Sequence, residues 1–510
     1  MKLKRFLPKK GSHTENKREA GTGIEQKRDE IRSIFHAPSN KDLVERNVYI
    51  SSISNFGVIF YLKGTVNQEA IENQLIKSLL TNEASEMCGT IPEMVKDSIL
   101  TNMEVNLTRN IVECIDSILS GNSLLIVDHE DMLVINTTGF EKRSVEKPEN
   151  EHVLKGPKES FIESIAVNIS LVRKQLKSQE LITEYMNVGN KAVSQVGILY
   201  MNDVVGDGLV EKVKKRINEI SIDQLQNLEI LEQHLEERPY SIIPTLLYTE
   251  RPDRAVAFLK EGHVVLLMDT SSSCLIAPVT FWSLFQTSED SYSRWFYGNF
   301  SRLIRLMAIF VTVLTPALYI AITDFHEEML PTDLVLSISA TRQKVPFPAV
   351  FEIILLSVAF ELIREGGVRV PSPIGPTIGI VGALILGQAA VQANIISPIL
   401  VIVVALTGLA SFAIPNLSFN YMIRLTTYLF LIAGSFFGLF GIAGCLTACI
   451  AYMASVTSFG VPFLAPMAPH YRSSKDLIVR PPMWKQWLRP FHVLPKEVQR
   501  MQKEEGNQSE

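Results

Sequence analysis

The chain has 510 residues, 46% of them hydrophobic and 20% charged, with a formal net charge of −5. That balance gives no electrostatic case for a nucleic-acid partner, and five scattered cysteines (Cys88, Cys114, Cys274, Cys445, Cys449) argue against a disulfide framework. The average conceals an asymmetry: residues 371–423 and 425–471 contain no Asp, Glu, Lys or Arg, which a water-facing surface rarely allows and lipid does.

Residues 1–45 are rich in Lys, Arg, Glu and Gly and poor in aromatics. Such a composition buries too little apolar surface to offset the entropy of ordering, so a disordered tail is expected. No apolar stretch follows its basic start, so no signal peptide is expected and the soluble half should stay on the cytoplasmic side.

Residues 46–290 read as α/β, divided into subdomains 46–155 and 156–290. GVIFYL from Gly57 is a β-prone run, residues 68–80 place Ile71, Leu75 and Leu79 on one helical face, and LLIVDHEDMLVI from Leu124 reads as two strands around a polar turn. These units recur. GVIFYLKGTV at Gly57 is echoed by GILYMNDVV at Gly197, and GNSLLIVD at Gly121 by GHVVLLMD at Gly262, 140 and 141 residues on. Shared order and spacing predict a duplicated module. A charged segment at 158–176 links or packs the halves.

Residues 291–470 form the expected membrane domain. Trp295, Phe296 and Tyr297 make an aromatic anchor, followed by Arg302, Arg305 and an apolar run at 306–323. Further apolar stretches lie at 348–363, 375–393, 397–414, 425–443 and 444–458. The second and last fall short of the ~20 residues a span needs, which leaves four to six crossings. Basic residues near the spans and in the 471–510 tail put both termini inside, with the acidic connection at 324–333 outside.

Charges inside spans are costly and mark functional candidates: Glu352, Glu361 and Arg364, the last two being one helical turn apart. In the third stretch Gly375, Gly379, Ala383 and Gly387 form a small-residue packing stripe. Beside it run Thr377, Val381, Ile385, Gln388 and Gln392, a face suited either to an oligomeric conduit or to interhelical hydrogen bonds in a static bundle. Cys445 and Cys449 read as small packing residues. No nucleotide, hydrolase or metal motif appears, so no enzyme, metal or cofactor is expected. A secondary transporter is the alternative, though the spans show no inverted repeat.

Several segments carry a resemblance: LKGPKESFIES at Leu154, TERPDRAVAFLKEGHVVLLMD at Thr249, FELIREGGVRVPSPIGPTIGIVGALILGQAAVQANIISP at Phe360 and SFGVPFLAPMAP at Ser458. Over residues 47–490 the chain resembles the A subunits of spore germinant receptors, the GerA family. It departs from the usual pattern at Gly366 and at Thr270-Ser271. The resemblance implies a multi-pass protein of the endospore inner membrane. It further implies work with a transporter-like B subunit and a lipoprotein C subunit, nutrient sensing that triggers ion release, and homo-oligomerisation into a ligand-gated conduit.

Overall fold

The computed structural model describes residues 23–81, 90–101, 103–140, 148, 151, 153, 155–206, 208–369, 387–471 and 476–501. Two five-stranded antiparallel sheets organise the first half. The first contains β1 (Leu43–Ile50), β2 (Asn55–Leu62), β3 (Val105–Thr108), β4 (Ser123–Ile126) and β5 (Met132–Ile135), in the order β1-β2-β4-β5-β3. The second contains β6 (Leu181–Val188), β7 (Ser194–Met201), β8 (Leu247–Thr249), β9 (Val264–Met268) and β10 (Cys274–Ala277), in the order β6-β7-β9-β10-β8. Strand for strand, the two orders are the same.

The register refines the repeat. Val58 pairs with Ile126, whereas Gly197 pairs with Leu267. Gly197 therefore occupies the place of Val58, one residue from the position its likeness to Gly57 suggests. A one-residue slip turns a side chain to the other face. A Cβ on Gly57 would meet Leu125 at 2.9 Å, and one on Gly197 would meet Ile165 at 2.9 Å, across opposite faces of their sheets.

Residues 24–45 are not the disordered tail their composition suggests. Helix α1 (Ile24–Ile34) buries Ile31 against the first sheet, Phe35 is buried beside it, and the buried Lys27 donates to the carbonyls of His129 and Glu130 at 2.6 and 2.7 Å. The partly buried Ile24 and Ile34 pack on the same cluster. The other face of this sheet is covered by a π-helix, Ala70–Ile76, continued by α2 (Lys77–Thr81). Helix α3 (Ile111–Leu119) packs beneath α1's face, with Cys114 buried.

In the second unit, α4 (Ile165–Gln175) and α7 (Pro252–Leu259) cover one face of the sheet, and α5 (Leu209–Glu219) and α6 (Leu228–Leu235) cover the other. The units meet at a buried ion pair. Arg173 of α4 donates through Nε to Asp42 at 2.8 Å, just ahead of β1, and also reaches the Leu181 carbonyl at 3.2 Å. The segment expected as a basic tail, 471–510, is packed on the second unit as far as it is described. Val493 joins its core, and the Lys496 N–H donates to the Val204 carbonyl at 3.0 Å.

Beyond the short α8 (Phe281–Phe285), the longer helices among the described residues are α9 (Trp295–Ile320), α10 (Thr332–Arg342), α11 (Ala349–Arg369), α12 (Pro398–Ser411) and α13 (Leu417–Ser455). Among the described residues two are long and apolar enough to cross a membrane, Trp295–Phe325 and Leu417–Ser455. Helix α11 has the length but carries Glu352, Glu361, Arg364, Glu365 and Arg369.

Helix α13 is broken at Gly438, where φ is 57° and ψ −138°. This is the left-handed side that glycine adopts without steric cost. A Cβ on Gly441 would overlap the Ala433 carbonyl, although residues eight apart in a continuous helix are separated by about 12 Å. The arms 417–437 and 439–455 thus fold back on one another. The division between the fifth and sixth apolar stretches falls at Gly438, not after residue 443. The turn lies against Phe325 and His326 at the far end of α9, and both ends of α13 return to the second sheet unit.

The apolar core runs without interruption from the second sheet into the helices. Leu267, Ile276 and Phe285 belong to one cluster with Ile309, Val313, Phe419 and Phe430. The Phe281 ring stands edge-on to Phe419 at 5.3 Å and to Phe463 at 6.3 Å.

Candidate functional site

Two polar assemblies lie beside this continuous apolar core. The first lies at the foot of α9. Asp290 is buried and accepts from Arg302 Nε at 3.0 Å and from the Arg305 guanidinium at 3.1 and 3.2 Å. Arg302 also donates to Asp476 at 2.5 Å, and Arg480 donates to the Asp290 carbonyl. Burial pushes the Asp290 carboxyl up, but Arg305 and Arg302 outweigh it and hold the group below its ordinary value. Beside this network lies a cavity of about 180 Å³ lined by Arg254, Phe258, Glu261, Trp282, Arg302 and His492. Burial raises Glu261 to about 7, and lowers His263 to about 3 and His492 to about 4.

The second assembly lies within the helices. Arg424 of α13 donates through Nε to Glu361 of α11 at 2.8 Å, with a further contact from its terminal nitrogen. This pair borders a small cavity of about 50 Å³ lined by Thr312, Pro316, Ser357, Thr407 and Tyr428. The Thr427 hydroxyl donates to the Thr312 carbonyl at 3.2 Å, tying α13 to α9. Spacing along α11 suggests Arg364 as the partner of Glu361, and the structure corrects that. Arg364 lies 4.6 Å over the Phe412 ring and reaches the Ser411 hydroxyl at 3.4 Å. Helix spacing makes neighbours only where no better partner comes from another helix, and Arg424 is that partner. Glu352 is 1% exposed and accepts from the Ser397 N–H at 2.7 Å, at the start of α12.

The family model of the Bacillus/Clostridium GerA spore germination protein matches residues 29–492. The chain belongs to the GerA family. Among GerA relatives it is 35% identical over 458 residues to spore germination protein KA of Bacillus subtilis, covering 89% of this chain and 84% of that one. It is 36% identical over 436 residues to the uncharacterized membrane protein YfkQ of the same organism, covering 85% of each. Among solved structures, the N-terminal domain of the A subunit of the Bacillus megaterium spore germinant receptor GerK3 is 27% identical, with a TM-score of 0.41. That likeness covers 52% of this chain and 97% of that one.

In this GerA chain the candidate conduit face is only partly in view. Thr377, Val381 and Ile385, with Gly375, Gly379 and Ala383 of the packing stripe, lie outside the described residues. Gly387 is buried, and a Cβ there would meet Val401 of α12 at 3.6 Å, an ordinary contact. Gln388 and Gln392 are exposed on the single chain. Cys445 and Cys449 pack on the shared core. Sequence reasoning missed the Asp290 network, because Arg302 and Arg305 stood for the basic flank of a span. The signal available was a carboxylate within about fifteen residues of an Arg pair spaced one turn apart, where the first apolar run begins.

Proposed function

We propose that this chain is a subunit of a nutrient germinant receptor in the endospore inner membrane, a non-enzymatic protein that converts nutrient binding into ion release. The observation that carries the reading beyond family membership is the continuous apolar core between the second sheet unit and the helices. Close-packed interiors transmit displacement instead of absorbing it, so a shift of the α/β unit biases the helices. The partners are a transporter-like B subunit, which takes the nutrient, and a lipoprotein C subunit. Several copies of this chain assemble around an ion path. In the closed state Val381 and Ile385 form an apolar constriction, with Thr377, Gln388 and Gln392 offering polar groups along the same face. The small residues Gly375, Gly379, Ala383 and Gly387 let neighbouring helices approach. Six crossings put both termini on the core side, the two arms of α13 counting as the last two.

The test is ion flux from liposomes holding the purified chain alone, the B subunit alone, or the whole receptor. Nutrient-gated flux is expected from the whole receptor, with leak from Val381→Ala or Ile385→Ala and loss of assembly in Gly379→Leu. Nutrient-driven flux from the B subunit alone would overturn the conduit and favour a transporter.

A further inference from the structure

We infer that Glu352, Ser397 and Tyr319 form a binding site for a monovalent cation within the helical bundle. Three observations meet there. Glu352 is 1% exposed and Ser397 is fully buried. Only one carboxylate oxygen of Glu352 is engaged, by the Ser397 N–H at 2.7 Å; its Oε1 has no hydrogen-bond partner, and the Ser397 Oγ and Tyr319 Oη beside it meet only each other, short of good hydrogen-bond geometry. Tyr319 packs on the same apolar cluster as Ile353 and Ile396, and its phenol faces Ser397 and Glu352.

Ser397 is the N-cap of α12, yet its hydroxyl caps nothing; Glu352 accepts the N-cap's own N–H at the start of the helix. The helix end offers the carboxylate roughly half a positive charge, which leaves the remainder of its charge and three oxygens unmet in an apolar cluster. Arg342 feels the Glu352 charge, but its hydrogen bond goes to Asp324, at 2.8 Å. A buried carboxylate without a partner is costly, and three hard oxygens bearing a single charge suit a monovalent cation. A divalent ion requires more carboxylates. The site stands apart from the conduit reading, since binding is measured without flux.

The measurement is equilibrium binding of ²²Na⁺ and ⁸⁶Rb⁺ to the full-length purified chain by scintillation proximity, with unlabelled chloride salts as competitors. Saturable binding of at least one of the two ions is expected, about tenfold or more weaker in Glu352→Gln. Ser397→Ala and Tyr319→Phe leave the carboxylate in place and should weaken it severalfold. Glu361→Gln, which alters the carboxylate held by Arg424, should bind as the unaltered chain does. If Glu352→Gln does not fold, the two milder variants decide. No saturable binding, equal binding by the milder variants, or equal loss in Glu361→Gln would each overturn the site. Displacement of neither ion, together with a pH-dependent melting that Glu352→Gln removes, would mean that Glu352 holds a proton instead. Flux without this binding would sink the site and leave the conduit; binding without flux would do the reverse.

Discussion

The two sheet units share one strand order and differ in what lies across their faces. Both faces of the first are closed by its own short helices, in two separate clusters. One face of the second is closed in the same way, but the other passes through Phe285 and Trp282 into the long apolar helices. A duplicated fold has thus been put to two uses. One copy is bounded by its own helices; the other has given up a boundary and become continuous with the bundle. The lesson is that a common topology does not fix mechanical role; the residues on the outer layer do.

The sharpest way to break this contrast is at the joint. Asp290→Asn leaves the buried Arg302 and Arg305 guanidiniums without their shared carboxylate. Removing one partner of a buried ion pair costs ~3–5 kcal/mol. Thermal unfolding of the whole chain should shift accordingly, and loss of protection should appear in both α9 and the second sheet. A change confined to one of them would mean that the network is local.

Paired truncations sharpen it further. Phe60 in the first unit and Phe285 in the second are both fully buried. Each change to alanine should cost about 3–5 kcal/mol of cavity and transfer energy. Limited proteolysis separates them: Phe60→Ala should open the first unit only, and Phe285→Ala should also open the connection at 456–463. Identical cleavage patterns would contradict the difference between the units.

A smaller effect is pH. Among the described residues the first unit has no buried histidine, while the second unit holds His263 and has His492 packed on it. Their folded values, about 3 and about 4, lie below the ordinary 6.5. The unfolded chain therefore binds more protons, and stability falls as pH drops below about 6.5, by up to ~1.4 kcal/mol per unit for each histidine. Glu261, raised to about 7, acts in the opposite sense between 7 and 4.5, but its partial exposure reduces its weight. Melting followed from pH 7 to pH 5 should show the second unit weakening, and His263→Phe should remove about half of the slope, the rest belonging to His492. A first unit that weakens equally would count against the assignment.

Much of this architecture was legible beforehand, for reasons that particular residues make plain. The β-prone runs at Gly57 and Gly121 and their echoes lie on paired strands of two like sheets, because period and burial speak locally. The register was not legible, since Gly57 and Gly197 are alike in type and a strand's face turns on a single residue. Helix α1 was hidden by its charged neighbours, as Ile31 and Phe35 are too few to raise the composition. In the bundle, Glu361 and Glu352 stood out as charges where none belong. Their partners, Arg424 and Ser397, come from other helices and no spacing rule reaches them. The fold-back at Gly438 was equally silent: α13 holds several glycines, and only the backbone shows which one takes a positive φ.

The most direct test of the central claim, that the second unit and the helices share one core, is hydrogen–deuterium exchange. The full chain in nanodiscs is compared with a soluble fragment of residues 23–290. Strands β2, β4 and β5 should exchange alike in both. Strands β9 and β10, with α7, should lose at least tenfold in protection in the fragment, where the faces of Phe281, Trp282 and Phe285 are stripped of Phe419 and Phe463. Equal protection of both sheets in the two samples would contradict the account.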